Sequence, residues 1–449
     1  MEKNSSKPAT GVGLGAVVII IAAGTVLFAW SHLQKPSVPY SPPDRPEGAD
    51  PTNAASVSWT QFRGPLQGHG GHTAGLPLVW SEKTNVIWKT EVAGTGWSSP
   101  VVSSTMIWVT SALQDGRSLR VLGFDKKTGA LLLEQEVINV SESSAKHAVN
   151  SHASPTPALE SNRLFVAFGR HGMACLNTEN GNVLWKNTSL KFDDESMGGG
   201  ASPILTEDHV VIHCDGTDER FIVALDKATG VVAWKTPRSN PIKQATPYRK
   251  AFSTPVLHAL NGVEQLISSS SYRVFGYDPK TGKELWSADT PGFCPVPVPL
   301  VENDWIFACA GFDKAHLLAF RKEADKPPQL VWKTMRSVSL VPSPVLVDQY
   351  IYMVSDGGIA SCVEASTGRT VWNERITGKY WASVLHADGR IHCFAEDGTT
   401  TLLAALPEFK ILARNKLDGE IVATPAIADH GLIIRTKTHL YRVATVQTK

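Results

Sequence analysis

The stretch ALDKATGVVAW, Ala224 to Trp234, recurs along most of the chain and so limits it to folds assembled from repeats. GYDPKTGKELW ends at Trp286, CLNTENGNVLW at Trp185 and CVEASTGRTVW at Trp372. Three weaker copies are GFDKKTGALLL, with Leu133 at the tryptophan position, AFRKEADKPPQLVW ending at Trp332, and ALPEFKILA, which lacks both the Gly and the Trp. Together they make seven markers, roughly 40 to 50 residues apart. Each reads as a hairpin: an apolar strand, a tight turn in which Gly takes a positive φ, then a second strand. The Asp or Asn ahead of the turn can bond its backbone.

About 25 to 30 residues before each marker's end stands a small residue followed by Pro and alternating apolar residues, as at Pro100, Pro155, Pro203, Pro255, Pro344 and Pro425. PVPVPL around Pro297 and WASVL at Ser383 fill the two gaps. Short strands such as RLFVAFG and YIYMVSD lie between, and four short strands per unit is the pattern of a propeller blade. After Pro425 there is strand material but no closing Trp strand. The missing strand is VIWKTEV near the front, whose Trp88-Lys89-Thr90 repeats Trp234-Lys235-Thr236. Seven markers plus this shared unit give eight, so the expected fold is all-β: an eight-bladed β-propeller over residues 85–449, closed by an N-terminal strand that removes the open sheet edges.

Ahead of it, residues 11–30 are uncharged and long enough to cross a bilayer as a transmembrane helix. Lys3 and Lys7 would keep residues 1–10 in the cytoplasm and send the propeller to the extracytoplasmic or periplasmic side. A cleaved signal peptide is the alternative, against which stand the length of the apolar run and the absence of a clean Ala-x-Ala site. Residues 31–56 are Pro-rich and read as an extended linker, and residues 57–84, Gly-rich at first, as an irregular cap. A net charge of +1 with 19% charged residues gives no footprint for nucleic acid. The six cysteines contain no Cys-x-x-Cys pair and read as buried thiols, with a disulfide still open.

The Asp-x-x-Thr-Gly-x-x-x-Trp markers at 226–234 and 278–286 resemble the repeats of the pyrroloquinoline-quinone (PQQ) superfamily of eight-bladed propellers. The opening Trp59-Thr60-Gln61-Phe62-Arg63-Gly64-Pro65 and the blade starts are similar to membrane-anchored PQQ-like proteins of planctomycete bacteria. The resemblance implies either quinoprotein dehydrogenase chemistry or BamB-like work in outer-membrane protein assembly. Quinoprotein alcohol dehydrogenases carry a vicinal disulfide, a Ca²⁺ site and a catalytic Asp; this chain has no Cys-Cys, and its acidic runs Asp193-Asp194-Glu195 and Asp215 to Glu219 read as solvated turns.

The repeated tryptophans, Trp88, Trp185, Trp234, Trp286, Trp332 and Trp372, are expected to wedge between blades as structural docking groups. A site is expected at one mouth of the channel, where Trp97, His152, Ser154, Arg249, Tyr380 and Trp381 stand at or just before blade starts. No catalytic motif, cofactor residue or metal ligand set is recognised. The functional expectation is a non-catalytic, BamB-like protein-binding module, a monomeric propeller that meets a partner in the cell envelope and takes no cofactor. A dehydrogenase using PQQ and Ca²⁺, and a carbohydrate or small-ligand sensor, are the alternatives.

Overall fold

A computed structural model describes residues 58–446 apart from 72, 195 and 244–247. The expected anchor at 11–30 and linker at 31–56 lie outside the described residues. Among the described residues there are only two short 3-10 turns, Gln114–Gly116 and Gly169–His171, and no helix long and apolar enough to cross a membrane.

Eight four-stranded antiparallel sheets form eight blades. The first runs Val101–Val102, Met106–Leu113, Ser118–Asp125 and Leu131–Asn139, from the innermost strand outwards. Six more follow in the same meander, with innermost strands Ala158–Glu160, Ile204–Leu205, Val256–Leu260, Leu300–Glu302, Val345–Val347 and Leu385–Ala387. The eighth combines Ala426–Ala428, Gly431–Arg435 and His439–Ala444 with Val86–Glu91 from the front of the chain, which pairs Trp88 opposite Arg442. The meander sorts the connections. Turns after the first and third strands of each blade lie on one face, and loops after the second and fourth lie on the other, hereafter the loop face.

The second and third strands are nearly continuous runs of buried apolar residues, as in Trp305–Ala310, because blades cover both of their sides. The outer strand is half exposed, and its Trp is the inward residue: Val183–Asn187 buries only Trp185. A bulge aims it. In each blade the pairing between third and outer strand skips the residue just before the Trp position, for example Leu184, Ala233, Leu285 and Ile87. The extra residue bends the strand, so the next side chain turns into the seam. The skipped residues account for much of the exposed apolar surface of the rim: Ile87, Leu132, Leu184, Leu285 and Val331.

Four docked tryptophans reach the turn of the following blade in the same way. Trp185 Nε1 donates to Lys227 O at 3.0 Å, Trp88 to Lys126 O at 3.2 Å, Trp234 to Pro279 O at 3.3 Å and Trp332 to Ala365 O at 2.8 Å. The ring lies on the turn glycine: a Cβ on Gly230, whose φ is +71°, would meet Trp185 Cε3 at 2.4 Å. Gly230 thus serves both the turn and the ring contact. Where the next marker is degenerate the contact changes. Trp286 faces the fifth blade's marker, which lacks Gly, and bonds Gln265 Oε1 within its own blade at 2.6 Å, while Lys322 O, at the equivalent acceptor position, is taken by Asn261 Nδ2. Trp372, facing the marker that lacks Gly, bonds Leu406 O at 3.4 Å and packs edge-on against Phe409 at 5.3 Å.

A second tie runs around the channel. The hydroxyl residue at each blade start accepts the backbone N–H of its counterpart in the preceding blade: Ser99 to Thr156, Thr156 to Ser202 and Ser202 to Thr254, then Val298 to Ser343, Ser343 to Ser383 and Ser383 to Thr424. The belt is interrupted after Thr254, where the next blade carries Val298, and at Ser99, whose buried Oγ has no partner among the described residues. At the first gap Ser253 Oγ donates to Pro297 O instead.

The expected cap goes further than covering. Residues 59–70 enter the channel from the marker-turn face and bond inner strands of separate blades. Trp59 bridges Val102, Thr60 O accepts Leu159 N–H, Gln67 exchanges two bonds with Val301, and Gly68 and Gly70 bracket His386. Arg63 is 1% exposed, with Nη2 on Pro344 O, and burial lowers its pKa to about 9. Phe62 packs between the fourth and fifth blades. This plug ties five blades together on the marker-turn side.

Candidate functional site

Three of the six mouth residues named from sequence come together on the loop face. Trp97 donates its backbone N–H to Ser151 Oγ and Ala153 O, each at 3.1 Å, and its indole N–H to Val149 O. Ser154 Oγ donates to Asn150 Oδ1 at 2.5 Å, and His152 Nε2 lies 2.9 Å from Ser144 O. The loop between the first and second blades is therefore tied to itself, and among the described residues its His152 has no carboxylate partner that would make it a base. Arg249 stands apart, in the loop ahead of the fourth blade. Tyr380 corrects the expectation. It is fully buried between the sixth and seventh blades and its hydroxyl donates to Thr377 O, because the apolar ring gains more from the core than from the mouth. No hydrogen bond or ring contact joins Tyr380 or Trp381 to the other four among the described residues.

The loop face of the third to fifth blades carries a stronger constellation. Four aromatic rings from four different loops form a ladder: Tyr248 and Phe293 are 4.6 Å apart, Phe293 and Phe312 6.2 Å, and Tyr272 and Phe293 6.5 Å. Tyr248 and Phe312 are 38% and 49% exposed, which is unusual for rings in a propeller with ample core. The backbone beneath holds them. Gly292 and Gly311 touch so closely that a Cβ on Gly292 would lie 2.4 Å from Gly311 Cα, which brings Phe293 beside Phe312. Tyr272 donates to Gly292 O at 2.9 Å, and Cys294 N–H lies on Lys250 O and Ser271 Oγ. Tyr272 and Cys294 hold φ values of +64° and +52°, costly for residues with side chains and the sort of strain that collects at functional surfaces.

Beside the ladder a groove of about 500 Å³ opens between the third and fourth blades, lined among others by Glu219, Arg220, Lys235, Asn240, Lys243 and Arg249. A smaller hollow of about 240 Å³, which includes Tyr272, shares the wall Asn240, Pro241 and Ile242 with it and so joins groove and ladder. The groove floor rests on a buried ion pair. Arg238 and Asp215 meet at 3.0 Å with both side chains 0% exposed, and Arg238 also reaches Tyr277 and Ser268. Burial alone would push Asp215 up, but the charge of Arg238, with His213 and Arg220, holds it below the usual carboxylate range.

The acidic runs are engaged elsewhere. Asp218 Oδ1 accepts the N–H groups of Asp193 and Glu219, Asp193 Oδ2 accepts the Thr217 hydroxyl, and Asp194 Oδ2 accepts Arg170 N–H, while Glu195 lies outside the described residues. Among the described residues no three His, Cys, Asp or Glu side chains converge as a metal site. All six cysteines are buried.

Sequence reasoning found Arg249 but missed the ladder and the groove. The available signal was aromatic residues placed in loops, Tyr248, Phe293 and Phe312, where turn-forming residues are usual.

No curated protein matches the chain in sequence. Among solved structures it is similar to BamB from Moraxella catarrhalis, at 13% identity and a TM-score of 0.57, over 81% of this chain and 98% of that one. It is also similar to a quinohemoprotein alcohol dehydrogenase from Comamonas testosteroni, at 11% identity and 0.60, over 87% and 81%, and to a europium-containing methanol dehydrogenase, at 12% and 0.55, over 80% and 86%. At such identities the likeness is one of fold, shared by BamB and two dehydrogenases. The sequence itself matches the family described as outer membrane protein assembly factor BamB over residues 139–293 and 322–407. With more than half of its residues inside that match and eight blades built on the same repeat, the chain belongs to the BamB-type PQQ-repeat family.

Proposed function

We propose that this protein is a membrane-anchored, extracytoplasmic scaffold that binds a protein partner through its loop face and performs no catalysis. The observation that carries the reading is the ladder of Tyr248, Tyr272, Phe293 and Phe312: partly exposed aromatic rings on a strained, hydrogen-bonded backbone, next to a guanidinium-lined groove. Aromatic and Arg side chains dominate the energetics of protein interfaces, and pre-ordered ones lose little entropy on binding. The family's description as an assembly factor and the apolar run at 11–30 support the same reading.

A photoreactive phenylalanine analogue at Phe312, in the full chain in its own membrane, tests it. A discrete cross-linked adduct, absent when the analogue replaces Leu132 on the rim, is the expected result. Equal yields at both positions would remove the basis of the proposal, and so would dye reduction by the full chain supplied with PQQ, Ca²⁺ and alcohols or sugars.

A further inference from the structure

We infer that the groove between the third and fourth blades is a carboxylate-binding subsite, which takes the acidic side chains of an extended partner segment whose apolar residues lie on the aromatic ladder. The inference rests on the partner-binding reading above and adds the chemistry of the partner.

Two guanidinium groups line the groove with no carboxylate bonded to either among the described residues. Arg220, 7% exposed, gives its N–H groups to Arg249 O, to Asn240 O and Oδ1, and to Ser270 Oγ. Arg249 gives Nη1 to Ile242 O and Nη2 to Asp218 O, and its buried Nε has no partner among the described residues. Every one of these acceptors is neutral, so among the described residues neither guanidinium meets a carboxylate directly, and Arg220 reaches the charge of Asp215 only through Ser270. The carboxylate that lines the groove, Glu219, is neutralised by Lys235 at 2.7 Å, and Asp215 beneath is spent on Arg238. Lys243 adds a further cation at the wall.

Holding the buried charge of Arg220 on neutral acceptors is unfavourable unless an anion completes the set, and the half-buried Arg249 stands beside it. Guanidinium groups fixed by their backbone bonds present donors to a carboxylate at little entropic cost. The shared wall at Asn240 to Ile242 runs the groove into the hollow that holds Tyr272, so one extended segment spans charge and rings. A free inorganic anion would use the charges and leave the ladder without a role, whereas an acidic segment with aromatic or aliphatic residues uses both.

The test is selection of short random peptides on the full chain in detergent, in parallel with Arg249→Gln, Arg249→Lys and Phe312→Ser variants whose folding is verified by unchanged thermal unfolding. Peptides selected on the unaltered chain should be enriched in Asp or Glu beside an aromatic or aliphatic residue. Arg249→Gln should weaken their binding about tenfold, the size of one lost charge-assisted contact, and Arg249→Lys should restore part of it. Enrichment of apolar residues without acids, lost with Phe312→Ser, would overturn the carboxylate subsite and leave the scaffold standing. Peptides that bind the Phe312→Ser variant equally well, or no enrichment at all, would overturn both. Saturable binding of inorganic phosphate alone at micromolar concentration, without peptide enrichment, would reassign the groove to a free anion and overturn the inference.

Discussion

The buried pair of Asp215 and Arg238 is the most consequential polar contact among single residues, because both side chains are fully removed from water and share Ser268, Ser270 and Tyr277. Arg238→Met leaves a carboxylate buried beside the groove, and urea unfolding should show a loss of about 3 to 5 kcal/mol. A loss under 1 kcal/mol would mean that water reaches the pair. Three imidazoles give a different signature. Burial lowers His213 and His69 to about 4 and His392 to about 3, with His386 and Arg63 adding to the effect at His69. A free imidazole titrates near ~6.5, so the folded chain binds fewer protons than the unfolded chain below that value. Stability is therefore full above pH 6.5 and falls as pH drops towards 4, by about 1 to 3 kcal/mol per imidazole. A urea midpoint that stays constant from pH 7 to pH 5 would contradict this. None of these residues was legible in the sequence as special: a His in an apolar strand reads the same whether it sits in the core or on a rim.

At the level of the element, the sequence was most informative at the markers. Asp-x-x-Thr-Gly-x-x-x-Trp spells out a turn and a docking group, and Asp226 accepts from Ala228 N–H, Thr229 N–H and the Thr229 hydroxyl as the turn requires. The bulge before each Trp was not legible, because an apolar residue in an outer strand carries no mark of being skipped. Nor was the hydroxyl belt, since Ser or Thr before Pro reads only as a blade start. Both features are measurable. Gly230 and Gly262 share a positive φ, +71° and +77°, but only Gly230 lies under a tryptophan, and nothing stands within 4 Å of a Cβ on Gly262. Gly230→Ala should therefore cost at least about 1 kcal/mol more than Gly262→Ala, the difference being the displaced Trp185. Equal costs would show that ring and turn are not coupled. Ser202→Ala leaves the buried N–H of Thr156 without its acceptor and should cost about 1 to 3 kcal/mol in the same assay.

For the molecule as a whole, eight repeats fixed the architecture from sequence, whereas the path of residues 59–70 escaped it: a Gly-rich stretch without periodicity gives no sign of where it docks. The aromatic ladder escaped for a related reason, since its rings come from four separate loops and meet only once the fifth blade lies against the fourth. Hydrogen exchange tests the plug directly. The amides of Gly68 and Gly70, bonded to Arg63 O and His386 O, should be protected as strongly as those of the inner strands. Exchange on the scale of an exposed loop would show that the channel is open.

The plug also has a mechanical meaning. A segment that bonds the first, second, sixth, fifth and seventh blades in turn is a stitch across the ring, and the chain ahead of Trp59 is its thread. Tension on that thread falls first on the bonds of Trp59 to Val102 and then on each later tie, so the segment must be released from five blades before the pull reaches the closing strand Val86–Glu91.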